Sequence, residues 1–335
     1  MKIRSMTLAL GLLALPTTAA AQDYPEVNLR FAHFLTPNFP GAHVEQWFAD
    51  EIAKRSDGNI QIEIFYAGAL GKPTELLDLV RSGAIELAAI GTSYYPNELP
   101  LAGIVQAVPN VYESNEEAVR ITEHLFEISD PLQEELDANN VHPVFWHSLA
   151  GYRPLCTAPI ETVADFEGRK MRAWGEYVPQ MWAALDATPV NVLPAELYES
   201  LQRGTLDCVF WAPDLLYAGK LYEVAKYLTD IHFGAFVNYP VMVNADLWES
   251  WPQSVRDLFE TVGREATERD IALVLEAGES AIAEMTGEHG VSIVTFEETD
   301  ALDERLPDLA ATWASDMEAR GVGDEARRLI EELRA

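Results

Sequence analysis

Arginine is the side chain whose placement here points most directly to a chemistry. The chain has 23 Lys+Arg against 54 Asp+Glu, so a cation among apolar strand residues stands out. Arg172 is such a cation, near the end of Lys170-Met171-Arg172-Ala173-Trp174. A guanidinium there can hold a carboxylate through two parallel hydrogen bonds. Parallel sheets also place ligands beyond the carboxyl ends of their strands. Arg153, in Gly151-Tyr152-Arg153-Pro154, sits where one α/β region passes into a second. The competing reading pairs both arginines with nearby acids such as Glu167 or Asp165. Residue types alone weigh the two readings equally.

Other chemistries lack their motifs. The seven histidines show no metal-ligand spacing, and neither HExxH nor CxxC occurs. There is no G-x-S-x-G elbow, and the neighbours His147-Ser148 do not make a triad by adjacency. Gly321-Val-Gly323-Asp-Glu-Ala326 looks like a dinucleotide fingerprint but does not follow a strand, so it reads as a turn between helices. Carboxylates are too numerous for any pair of them to signal acid/base catalysis. No enzyme and no cofactor is indicated. Cys156 and Cys208 either form a disulfide, if the fold brings their Cα atoms within about 7 Å, or are two buried thiols.

The formal net charge of −31 repels phosphate backbones and argues against nucleic-acid partners. The acidic residues are spread along the whole chain, which reads as surface solvation rather than attraction of a cationic ligand. At the N-terminus, Lys2 and Arg4 precede the apolar run Met6 to Leu15, Pro16 and an A-x-A pattern ending at Ala21. Residues 1–21 read as a Sec-type signal peptide, too short in its apolar part to span a bilayer, and no later stretch is a spanning candidate. The expected location is the periplasm.

The elements that position the arginines follow from periodicity. Val27, Leu29 and Phe31 alternate with polar residues, as do Ile60, Ile62 and Ile64, and Ile85 to Ile90 gives a third strand. Helical patterns at 40–56 and around Leu76, Leu77 and Val80 separate them, implying parallel pairing through crossovers. A second α/β region begins near Val141, with strands predicted at 141–146, 170–174, 190–192 and 207–211. Helices are predicted there at 177–185 and 194–203. A strand pair is expected around 231–243, an extended helix over 252–286, a late strand at 291–296 and a helical tail.

Three segments together resemble the substrate-binding subunits of tripartite ATP-independent periplasmic (TRAP) transporters of the dicarboxylate-binding (DctP) type. They are Gly68-Ala69-Leu70-Gly71 with Glu75, Val80, Gly83 and Glu86; Phe166-Glu-Gly168-Arg-Lys-Met-Arg172; and Ala187-Thr-Pro189-Val190 continuing through Pro194-Ala-Glu196-Leu-Tyr198 to Gly204-Thr-Leu-Asp207. The resemblance implies a two-lobed α/β periplasmic binding protein with a hinge, parallel and mixed sheets flanked by helices, and a long helix bracing both lobes. The expected division gives lobe I residues 22–150 and about 237–276, and lobe II residues 151–236 and about 277–335.

Arg172 matches the family's carboxylate anchor and Arg153 a second basic contact. Trp211 matches a pocket-lining position that is asparagine in the sialic-acid branch, and the run Asp207-Cys208-Val209-Phe210-Trp211 departs from the glycine and polar residues of many members, which weighs against sugar-acid specificity. Trp174, Phe210, Phe236 and Asn238 are further second-lobe and return-strand candidates. His33, Phe34, Gly91, Thr92 and Tyr94 are candidates from strand ends of the first lobe. The implied partners are a small organic acid and the small and large membrane subunits of a TRAP permease, with the binding protein itself a monomer. The aromatic residues suggest a compact monocarboxylate of apolar or ring character. Alternatives are a sulfonate, a zwitterion boxed by Trp211 and Phe236, and a sensor subunit serving a membrane kinase.

Overall fold

The computed structural model describes residues 24–104, 114–231 and 236–333, with side chains of 236–238 excepted. Residues 1–21, expected to form a signal peptide, lie outside the described residues. The first sheet has the order β2-β1-β3-β10-β4. Its members are β1 (Val27–Ala32), β2 (Ile60–Phe65), β3 (Leu87–Ala89), β4 (Val141–Leu149) and β10 (Phe236–Asn244). β1 runs parallel to β2 and β3, whereas β10 is antiparallel to both β3 and β4. The alternation seen in sequence is the cause of the packing. Leu29 and Phe31 are buried while Asn28 and Arg30 face solvent. Helix Gly41–Arg55 covers this sheet with Val44, Phe48 and Ile52.

The second sheet has the order β11-β9-β5-β8-β6-β7. It comprises β5 (Arg153–Cys156), β6 (Lys170–Ala173), β7 (Thr188–Asn191), β8 (Cys208–Trp211), β9 (Tyr227–Thr229) and β11 (Ser292–Val294). β6 is parallel to β7 and β8, and β5 is antiparallel to β8 and β9. Cys156 lies directly opposite Cys208 in the β5–β8 register, and the two form a disulfide with Cα atoms 4.1 Å apart.

A single helix, Gln253–Gly287, braces the two lobes. It packs on β4 and on helix Gly41–Arg55 in one lobe, and on helix Pro213–Ala218 in the other. Gly263 explains how it approaches β4 so closely, since a Cβ there would lie 2.2 Å from the Val144 carbonyl oxygen.

Two expectations need correction. The two strands expected around 231–243 do not pair with each other: β9 (Tyr227–Thr229) precedes that range and belongs to the second sheet, and β10 (Phe236–Asn244) belongs to the first. The helix expected over 194–203 is a 3-10 turn, Pro194–Glu196, followed by helix Leu197–Gln202. The C-terminal tail returns to contact the first lobe. In helix Leu309–Ala319 the Trp313 indole donates to the Pro100 carbonyl, and Arg320 just beyond it donates to that of Pro96. In helix Gly323–Leu333, Arg328 donates to the Ile128 carbonyl. The apolar side chain of Trp313, fully buried, explains the return, because its ring needs the first lobe for cover.

Candidate functional site

Arg172 sits on β6 between β7 and β8 and is only 2% exposed. Its Nε donates to the Val192 carbonyl at 3.4 Å and its Nη1 to the Phe210 carbonyl at 3.3 Å. Its Cζ lies 4.7 Å from the Trp174 ring centroid and 4.9 Å from that of Trp211. Burial pulls the guanidinium down from its usual range, and the Tyr94 and Tyr152 hydroxyls oppose that pull. Among the described residues no carboxylate lies within 4 Å of it, and Asp165 instead accepts from the backbone of Glu161 and Thr162. An isolated buried cation is costly. Two carbonyls and two aromatic faces offset part of that cost, and N–H donors remain for an incoming anion.

The cleft wall opposite comes from the first lobe. Phe34 follows β1, and Tyr94 lies in the turn Thr92–Tyr94 after β3. Gly91 is required there, because a Cβ would come within 2.8 Å of the Tyr94 ring. The lobes touch beside this turn: Gly175, at φ +61°, leaves the Ser93 carbonyl oxygen 3.1 Å from where its Cβ would be. Between them, Arg172 opens on a niche of about 10 Å³ walled by Tyr94, Tyr152, Trp174 and Trp211. A larger chamber of about 180 Å³ shares Phe34, Leu35, Pro194, Trp211 and Leu215 with that niche.

The structure thus gathers Arg172, Trp174, Trp211, Phe34 and Tyr94 around one space. Phe210 contributes its carbonyl, while its ring packs on Trp182 and Trp174. Arg153 does not line the niche; it pairs with Asp230 at 3.0 Å. Thr92 lines a separate seam beside Glu176 and Met317. Phe236 and Asn238 are placed on β10, but their side chains lie outside the described residues. Tyr152, Leu35, Ser93, Pro194 and Leu215 were not singled out from sequence, and all five line the niche. For Tyr152 a signal existed in its position beside Arg153, since neighbours on an extended chain face opposite ways.

His33 stands behind the cleft, fully buried, in the one cluster of described residues with metal-ligand proximity: His33, Glu45 and His147. The donor set does not suit a metal ion. His33 Nδ1 accepts from the Leu35 backbone N–H at 2.9 Å, which leaves the ring proton on Nε2, the atom 3.3 Å from Glu45. His147 bridges Glu45 at 3.1 Å and Asp270 at 2.8 Å. Burial alone would lower the pKa of His147, but the Asp270 and Glu45 carboxylates outweigh it and raise the value to about 9. Glu45, His147 and Asp270 form a hydrogen-bonded group behind the Phe34–Leu35 wall, and the His33 ring, held by the Leu35 N–H, stands beside it.

Comparison with known proteins gives the chain its relatives. The family described as bacterial extracellular solute-binding protein, family 7 (DctP), matches residues 31–315. The C4-dicarboxylate-binding periplasmic protein DctP of Rhodobacter capsulatus is 27% identical over 303 residues, covering 88% of this chain and 87% of its own. A TRAP periplasmic solute-binding protein from Desulfovibrio salexigens, solved with orotic acid, superposes with a TM-score of 0.81 at 23% identity, covering 92% of this chain and 98% of its own. One from Chromohalobacter salexigens, solved with D-glucuronate, gives a TM-score of 0.81 at 20% identity, covering 91% and 99%. Among the described residues no helix is long and apolar enough to cross a membrane.

Proposed function

Since the chain belongs to family 7 of the bacterial extracellular solute-binding proteins, a transport family and not an enzyme family, we propose that it captures a small organic carboxylate on Arg172, between its lobes, in the periplasm. The observation that carries this is the buried guanidinium, which has no acidic partner within 4 Å among the described residues and faces an interlobe space. The solved relatives hold orotate and glucuronate, both carboxylates. Here the walls are mainly aromatic and aliphatic, which favours a ligand whose remaining part is apolar or aromatic. Two faces of Arg172 are already engaged by Trp174 and Trp211, which disfavours a cationic group in the same box. Arg153 serves in this reading as a structural pair with Asp230 rather than as a second anchor.

The lobes close over the ligand, and the closed form delivers it to a TRAP permease. A net charge of −31 does not prevent this, because at about 0.15 M salt charges more than about 8 Å away are largely screened. The test is calorimetric titration of a carboxylate panel against wild type and Arg172→Ala. Loss of the anchor strands a desolvated carboxylate at about 3–5 kcal/mol, which weakens binding by roughly two to four powers of ten. Equal affinity in the two proteins would overturn the assignment.

A further inference from the structure

The space beside Arg172 is too small for a whole ligand. At about 10 Å³ it admits little more than one water-sized group, enough for the head of a carboxylate held by the guanidinium. The rest of the molecule must occupy the adjoining chamber of about 180 Å³. That chamber is walled by apolar side chains of both lobes, including Phe34, Leu35, Phe39, Trp211 and Leu215, all less than 9% exposed. Among the described residues its polar side chains are few. Thr36 lies at the exposed rim, and the Tyr198 hydroxyl already donates to Glu223 at 2.8 Å. The Trp211 indole is directed at Tyr152. A polyhydroxylated ring in this chamber would leave most of its hydroxyls without partners, which is the expensive outcome. Thr36, Ala67, Ala195 and Gly219 are exposed, so the chamber is open at its outer end.

We propose that the chamber is the subsite for an extended apolar tail, and that the ligand is a monocarboxylate with a tail of about six to eight carbon atoms. The size follows from volume, since an apolar cavity of about 150 Å³ takes up benzene. The open rim means that longer tails run out to solvent instead of clashing. This inference rests on the carboxylate reading and replaces a compact ligand with an elongated one.

The experiment is calorimetric titration of the purified protein, unfolded and refolded to strip co-purified ligand. The probes are acetate, butanoate, hexanoate, octanoate, decanoate and 3-phenylpropanoate, with D-glucuronate as a polar comparison. The expected affinity rises about fourfold per added methylene up to octanoate and then levels off. 3-Phenylpropanoate falls among the tight binders, and glucuronate binds at least tenfold more weakly than hexanoate. In Ala195→Trp, a substitution at the exposed rim, the bulky ring fills the chamber and the gain per methylene shrinks. A flat or falling series, alongside Arg172-dependent binding of acetate or glucuronate, overturns the tail subsite but leaves the carboxylate reading standing. An undiminished gain in Ala195→Trp also overturns it. No binding of any carboxylate overturns both.

Discussion

Replacing Arg172 by lysine keeps a positive charge but removes the planar fork and the flat faces that lie against Trp174 and Trp211. The ammonium cannot serve the Val192 and Phe210 carbonyls and a carboxylate in the same geometry. Arg172→Lys is therefore expected to weaken carboxylate binding at least about tenfold by calorimetry, with a milder loss than Arg172→Ala. A lysine variant as tight as wild type would mean that point charge alone holds the ligand. At this scale the sequence was legible where a residue follows a strand into open space, as with Phe34, Tyr94 and Trp174. It was not legible where the partner comes from afar. Arg153 was weighed against Glu167 and Asp165, yet the carboxylate that holds it is Asp230, the residue directly after β9. His33 was placed in the cleft from its strand-end position. In the fold its ring turns inward to the Leu35 N–H and Glu45, and the wall it supports is what faces the cleft.

The hydrogen-bonded chain from Glu45 through His147 to Asp270 joins the first helix, β4 and the bracing helix. Its pH dependence has a defined sign. His147 has its pKa raised from 6.5 to about 9, so its contribution to stability is complete below about pH 6.5 and is lost as pH rises through about 9. His147→Gln removes one buried charge and leaves Glu45 and Asp270 without it, a cost of about 3 kcal/mol or more at pH 7. In urea unfolding the gap between variant and wild type should be full near pH 6.5 and narrow by pH 10. A gap independent of pH would show that the ring is neutral in the fold. Element identity was readable because alternation and helical spacing agree with burial, as in Leu29 and Phe31 or in Val44, Phe48 and Ile52. Sheet membership was not. β9 and β10 are successive strands whose short separation suggests a hairpin, and only the antiparallel pairing of β10 with β3 and β4 assigns it to the other lobe.

Whole-molecule behaviour depends on how often the chain crosses between lobes, and the C-terminal tail adds a crossing that composition does not reveal. Its amphipathic helices were legible as helices, but nothing in their pattern says which lobe covers Trp313. Once seated on the Pro96 and Pro100 carbonyls, the tail also reaches the second lobe. The Tyr177 hydroxyl donates to Asp316 at 3.1 Å, and Arg320 lies 3.6 Å from Glu176. These contacts sit beside the Ser93–Gly175 approach, so parting the lobes at the cleft has to break them or detach the tail. The Arg320–Glu176 pair is partly exposed and worth little by itself. The half-buried Tyr177–Asp316 bond is the stronger element, at about 1 kcal/mol. Tyr177→Phe, which touches neither the niche nor the chamber, should therefore raise the Kd for a bound carboxylate about fivefold, through faster release rather than slower capture. Stopped-flow release rates decide the matter. A faster off-rate with an unchanged on-rate identifies the bond as part of what holds the lobes together, whereas identical rates would confine the tail to folding stability.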